Sequence, residues 1–193
     1  MFITEIVTRG TMATAKTGSF YLTERVTIPN ASADGTRVSG NMDLGAYVNV
    51  PTGQAIAVDQ VDFIFQTFDG GSNPEQFLAA NGSISVQLTD LNPDAALVLA
   101  DDQSLIASGS LAIDVGNNIA SHVSDLYPDN YGPSALSESF MVVNDTLYFT
   151  AGNDGAAVGA ADVYCTVRAR CRVVKLSSKD WMAIAIQSTA ADN

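Results

Sequence analysis

With 193 residues, 47% of them hydrophobic and 16% charged, the chain is long enough to bury a substantial core and most simply forms one domain. Its 21 acidic residues outnumber nine basic ones for a net charge of −12, and such an acidic surface repels nucleic acid, which excludes an ordinary nucleic-acid binder. No apolar run approaches the roughly 18 residues of a membrane-crossing helix, and MFITEIVTRG at the start has no signal-peptide pattern, so use inside the cell or leaderless release is expected.

Residues 1–19 begin with a short apolar cluster (Phe2, Ile3, Ile6, Val7) and then turn small and polar. They read as an arm that docks on a neighbour or on the edge of its own domain, residues 20–193. Residues 20–28 alternate, with Phe20, Leu22, Val26 and Ile28 on one side and Tyr21, Thr23, Arg25 and Thr27 on the other, the period of a half-buried strand. Pro29-Asn30 stops it, and ASADGT is turn sequence. Residues 37–44 follow as a strand with Val38, Met42 and Leu44 inward, and 47–50 as a short continuation before Pro51-Thr52-Gly53. The strong strand at 55–68 puts Val61, Phe63 and Phe65 on one face and Asp62, Ile64 and Gln66 on the other.

A loop at 69–75, one helical turn within 75–81 and an alternating strand at 83–89 come next. Residues 95–100 read as a short apolar strand, and 104–107 with 111–115 as a pair broken at Ser108-Gly109. Residues 117–126 read as a short helix ahead of the aromatic loop 127–133. Asn144-Asp145 reads as the tip of a tight hairpin between 139–143 and 146–151, and 152–160 as a flexible loop.

The most regular alternation falls at 161–176, ADVYCTVRARCRVVKL. Val163, Cys165, Val167, Ala169, Cys171 and Val173 share one face; Arg168, Arg170 and Arg172 stand in a row on the other, roughly 7 Å apart at the rise of a strand. Cys165 and Cys171 lie roughly 20 Å apart along that strand, beyond disulfide reach, and read as buried thiols. Nineteen of the 21 acids precede Arg168, against four of the nine bases. The arginine row therefore has three readings: cross-strand pairing within the fold, contact with an acidic neighbouring subunit, or contact with nucleic acid or a lipid head group. Ser177 with Asp180 three residues on approximates a capping box, so a helix is expected at about 178–187, with Trp181, Ile184 and Ala185 on its packing face. Some eight to ten short strands with almost no helix define an all-β chain, an antiparallel β-sandwich. The lack of a repeat at fixed period argues against a propeller or solenoid.

Catalytic chemistry finds little support. His122 is the one histidine and no G-x-S-x-G elbow accompanies it, so no catalytic residue is assigned. One histidine and two separated cysteines do not make a transition-metal site. The loop 69–75 and the stretch from Asn153 and Asp154 to Asp162 offer oxygen ligands for calcium without EF-hand spacing. No cofactor is expected, calcium being the one candidate.

Three stretches together, MDLGAYVNV at 42–50, AVDQVDFIFQ at 57–66 and residues 167–180, resemble the single jelly-roll major capsid proteins of tailless icosahedral viruses. They cover about a fifth of the chain. The resemblance implies eight strands in two four-stranded sheets, self-assembly into homo-oligomeric capsomers, no catalytic residues and no cofactor. It implies a virion protein assembled in the host cytoplasm, with itself, other capsid or vertex proteins and an underlying membrane as partners. The candidate subunit-interface residues are Arg168, Arg170, Arg172 and Trp181. Many coat proteins carry a basic N-terminal arm, whereas residues 1–19 hold only Arg9 and Lys16, so direct genome binding by this arm is not expected. The competing expectation is a lectin-like or carbohydrate-binding sandwich using Tyr127, Tyr131 and Tyr47 with calcium-holding loops. A sandwich hydrolase using His122 or a carboxylate pair ranks third.

Overall fold

Alternating residues become strand where one side of the chain finds a layer to bury it. The computed structural model describes residues 14–68, 73–123 and 139–190, and among them are ten strands. They are β1 Thr14–Ala15, β2 Phe20–Ile28, β3 Arg37–Asp43, β4 Gln54–Thr67, β5 Gly82–Thr89, β6 Leu105–Asp114, β7 Ile119–Val123, β8 Phe140–Val142, β9 Thr146–Asp154 and β10 Val163–Lys175. A one-turn helix α1 (Pro74–Phe77), a 3-10 turn (Val50–Thr52) and the C-terminal helix α2 (Ser178–Ala190) complete them. The apolar start at 2–7, most of the 69–75 loop and the aromatic loop 127–133 lie outside the described residues.

The strands form two sheets. In the first, β10 lies between β4 on one side and β2 with β1 on the other, and β8 pairs the far side of β4. The second runs β3-β9-β5-β6-β7. Every pairing is antiparallel. Set aside the two-residue β1 and the edge strand β7, and the rest nest: β2 pairs β10, β3 pairs β9, β4 pairs β8, and β5 pairs β6. That is a long ribbon of paired strands wound around a barrel-like core, the winding of a single jelly roll. The resemblance implied four strands per sheet; β1 and β7 each add a fifth.

The core lies between the sheets. Inward residues of β10 (Val163, Cys165, Val167, Ala169, Cys171) are fully buried, with Ile56 and Val58 beside them and Ile84, Leu88, Leu147 and Phe149 opposite. Phe63 of the first sheet stacks on Phe149 of the second, ring centroids 6.1 Å apart. A Cβ on Gly109 would sit 3.0 Å from the Phe63 ring. This glycine therefore does not break a strand: β6 runs straight through it, and its missing side chain admits the Phe63 ring. Both cysteines are free and buried, and burial pushes each thiol up to about 12, with the Asp59 carboxylate adding to the effect at Cys171.

Five further local expectations are corrected. Residues 47–50 are not a strand, because Tyr47 and Val48 donate back to the Leu44 carbonyl and Asn49 caps the 3-10 turn. Residues 95–100 are not a strand either. Asp94 and Ala95 adopt left-handed φ, and the Gln87 amide satisfies both Val98 N–H and Val98 C=O, the groups a strand partner would use. Residues 117–123 do not begin a helix: Asp114 accepts from the Asn117 backbone and side chain, Asn118 turns left-handed, and β7 returns along β6. Asn144-Asp145 is no hairpin tip, because β8 belongs to the first sheet and β9 to the second. The 152–160 stretch is strand as far as Asp154.

The first and last described segments both pack on the fold. The arm residues Thr14 and Ala15 pair with β10, Lys16 N–H donates to the Val173 carbonyl, and Val173 N–H donates to Thr17 Oγ1. Asp180 N–H donates to Ser177 Oγ at 3.2 Å, and Ser177 Oγ to the Asp180 carboxylate at 2.6 Å, closing the expected N-terminal cap of α2. The helix lays Trp181, Ile184 and Ala185 on a second small cluster made by Ala55, Ala57, Val143, Val174 and Leu176.

Candidate functional site

The outer face of the first sheet is where the chain's basic residues gather. Odd-numbered residues of β2 and even-numbered residues of β10 point there, away from the core. Antiparallel register sets Thr166 between Arg25 and Ile64, Arg168 between Thr23 and Asp62, and Arg170 between Tyr21 and Gln60. Helix α2 covers one end of this face, over Ala55, Ala57 and Val174. The other end carries the arginines.

Arg172 is internally paired. Its Nε donates to Asp59 Oδ2 at 2.7 Å and its Nη2 to Asp59 Oδ1 at 2.6 Å, a two-pronged contact that Ser139 joins by donating to Asp59 and accepting from Arg172. Asp59 reaches this face through a β-bulge: Arg170 faces Gln60 but Cys171 faces Val58, leaving Asp59 as the extra residue. Burial alone would raise the Asp59 carboxyl, but hydrogen bonds from Arg172 and Ser139 and the charges of Arg172 and Arg170 hold it below the usual range. The same hydrogen bond raises Arg172. Of the three readings of the row, pairing within the fold thus holds for Arg172.

Arg168 and Arg170 are placed differently. The Arg168 guanidinium lies 4.9 Å from the centre of the Tyr21 ring, and that of Arg25 5.3 Å from the Tyr164 ring. Asp62, opposite Arg168, instead accepts from Gln60 Nε2 at 3.0 Å. The ion pairs formed among the described residues are Arg172–Asp59 and Arg37–Asp154. Arg25, Arg168 and Arg170 have no carboxylate partner there, and the buried Nε of Arg170 has no hydrogen-bond acceptor. Trp181 faces the fold, packed on the small cluster beneath α2. The stacking of Arg25 and Tyr164 was not anticipated, although both residues fall on the predicted outer faces. Asp59 had no sequence signal, because a bulge resets the alternation that would have located it.

The other candidate sites disperse. His122 is exposed on β7, tilted against the Phe65 ring at 5.8 Å. Tyr47 stacks on Phe20 and packs against the core, while Tyr127 and Tyr131 lie outside the described residues. In the loops proposed for calcium, Asp154 pairs with Arg37 and Asp162 accepts from Asn30 N–H. Among the described residues no group of three His, Cys, Asp or Glu side chains is placed to hold a metal ion.

The nested winding defines a jelly-roll protein, and solved structures similar to it are virus capsid proteins. Merkel cell polyomavirus VP1, solved with the GD1a oligosaccharide, matches over 84% of this chain and 98% of its own at 10% identity and a TM-score of 0.42. Cocksfoot mottle virus matches over 93% and 98% at 11% identity and a TM-score of 0.31, and Desmodium yellow mottle tymovirus over 87% and 95% at 8% and 0.29. No protein-family model and no curated protein matches the sequence. The jelly-roll assignment rests on the strand pairing described above.

Proposed function

We propose that the chain is a structural, non-enzymatic subunit that self-assembles into the icosahedral capsid of a virus, and that it resides in the virion. The observation that carries this reading is the nested pairing of eight strands, β2 with β10 inward to β5 with β6, a winding shared by viral shells and some binding modules. Its surface supports the shell side of that choice. A shell subunit needs neighbours on several sides, and large apolar side chains are exposed on several: Phe68 and Ile119 at one end of the sandwich, Val50 and Leu99 at the other, Met182 and Ile186 on α2. Homo-oligomeric capsomers follow, with vertex proteins or an underlying membrane as further partners.

The test is assembly of the purified full chain, followed by size-exclusion chromatography and electron microscopy across a range of salt. Closed particles or capsomer-sized rings are expected. A strict monomer under every condition overturns the reading.

A further inference from the structure

We infer that the arginine-bearing outer face of the first sheet receives the acidic loop between β5 and β6 of a second copy of this chain. The inference deepens the shell reading above and rests on it. Three guanidinium groups on that face, Arg25, Arg168 and Arg170, have no ion-pair partner among the described residues, in a chain with 21 acidic residues. Two of them lie against the Tyr21 and Tyr164 rings, which fixes the guanidinium planes and leaves their N–H edges as donors for an incoming carboxylate.

The loop, residues 90–104, has the complementary make-up and is rigidly held. Gln87, on the outer side of β5, donates to the Val98 carbonyl at 2.8 Å and accepts from Val98 N–H at 2.7 Å. Asp90 N–H donates to the Ser104 carbonyl, and Asp102 accepts from Ser104 N–H and Oγ. Beyond the Val98 clamp stand Leu99, 78% exposed, and the exposed Asp101, with the exposed Asp94 on the near side of the same loop. An apolar tip between carboxylates, already ordered before contact, loses little entropy on docking. It matches a face on which Tyr21 and Ile64 lie among arginines.

The geometry is directional. The loop folds over the outer side of the second sheet, through Gln87, while the arginines occupy the outer side of the first. Each copy thus offers opposite sides of the sandwich, a head-to-tail contact that closes into rings when the rotation allows. Single-stranded nucleic acid is the less favoured occupant because the chain as a whole carries −12.

The experiment uses three variants of the full chain: Arg168→Glu with Arg170→Glu, Asp94→Arg with Asp101→Arg, and all four changes together. Arg168, Asp94 and Asp101 are exposed and Arg170 is half-buried, so circular dichroism melting controls for folding. Each double variant is expected to assemble at least roughly tenfold less than wild type at low salt, and the fourfold variant to recover in part, because it restores opposite charges at the substituted positions while Arg25 stays basic. Wild-type assembly is expected to weaken as salt rises and screening shortens. Double variants that assemble like wild type, or a fourfold variant that stays dispersed, overturn the inference while leaving the shell reading in place. So does an arginine variant that assembles normally but loses binding to labelled oligothymidylate, which assigns the face to nucleic acid. A wild-type chain that never assembles overturns both readings.

Discussion

At the scale of single residues, two carboxylates with opposite shifts make opposing contributions to the pH dependence of the fold. Asp59 is nearly buried and held by Arg172, whose own side chain is 32% exposed. Asp59→Asn leaves that guanidinium without its anion. The expected cost is about 2 kcal/mol, below the roughly 3–5 kcal/mol of a fully buried pair because water still screens Arg172. A denaturant midpoint measured for both proteins reads it. Folding holds the Asp59 carboxyl low, so the pair's contribution is fully present above the unfolded value of about 3.9 and is lost as pH falls through the lower folded value. The wild-type advantage over Asp59→Asn should therefore hold from neutral pH down to about 5 and close below about 4. Glu24 behaves in reverse. It sits on the inner side of β2, where a Cβ on Gly40 would lie 2.7 Å from its carboxylate, and burial raises it. Ionising it disfavours the folded state, so Glu24→Gln should stabilise the protein at pH 7 and make no difference at pH 3, well below the unfolded value of about 4.3. A gain that persists at pH 3 would show that packing, not charge, is responsible.

At the scale of elements, α2 is the detachable one. It is joined to the fold at the β10 end, where Leu176 N–H donates to the Gly53 carbonyl, and Gly53 takes a left-handed φ with any Cβ falling 2.5 Å from the Leu176 carbonyl oxygen. Trp181 is the chain's one tryptophan and lies on the docked face. Ile184→Asp should lift the helix, shift the Trp181 emission to the red, and leave a cooperative melt of the sandwich; an unshifted emission would mean the helix stays docked. Ser177→Ala removes the N-cap and should cost about 1 kcal/mol, seen as a lower melting temperature. The strands that pack one face on the core are legible as they stand: residues 20–28 alternate and form β2, and α2 begins where its cap predicts. What alternation could not show was the use of backbone groups by side chains. Gln87 taking both polar groups of Val98 keeps 95–100 out of a sheet, and Asp114 with Asn117 turns 115–118 into a hairpin. Gly109 misled in the other direction, since its role is space for Phe63, seen only once the second sheet is in place.

At the scale of the molecule, sheet membership was the least legible feature, because it depends on pairings between residues tens to more than a hundred positions apart. Alternation announces a strand but not its partner, so the 139–151 stretch reads as a hairpin although β8 and β9 join different sheets. The arginine row was visible from spacing alone; that Arg172 is spoken for and Arg168 is not came from the register and the bulge. The placement of β10 has a further consequence, for the order of folding. It follows every other strand in the chain, yet it is the inner strand on which β2 and β4 both close. While a ribosome is still making residues before 163, the β5–β6 and β6–β7 pairs of the second sheet can form, but β2 waits with one apolar side uncovered. The first sheet can close only once β10 has emerged, so folding of that half should wait for it and fall in the slow range of milliseconds to seconds typical of such non-local sheets. Stalled chains ending at residue 160 should remain sensitive to protease across residues 20–67, while chains that have released residue 176 become resistant there; equal resistance at both lengths would show that β2 and β4 find order without β10.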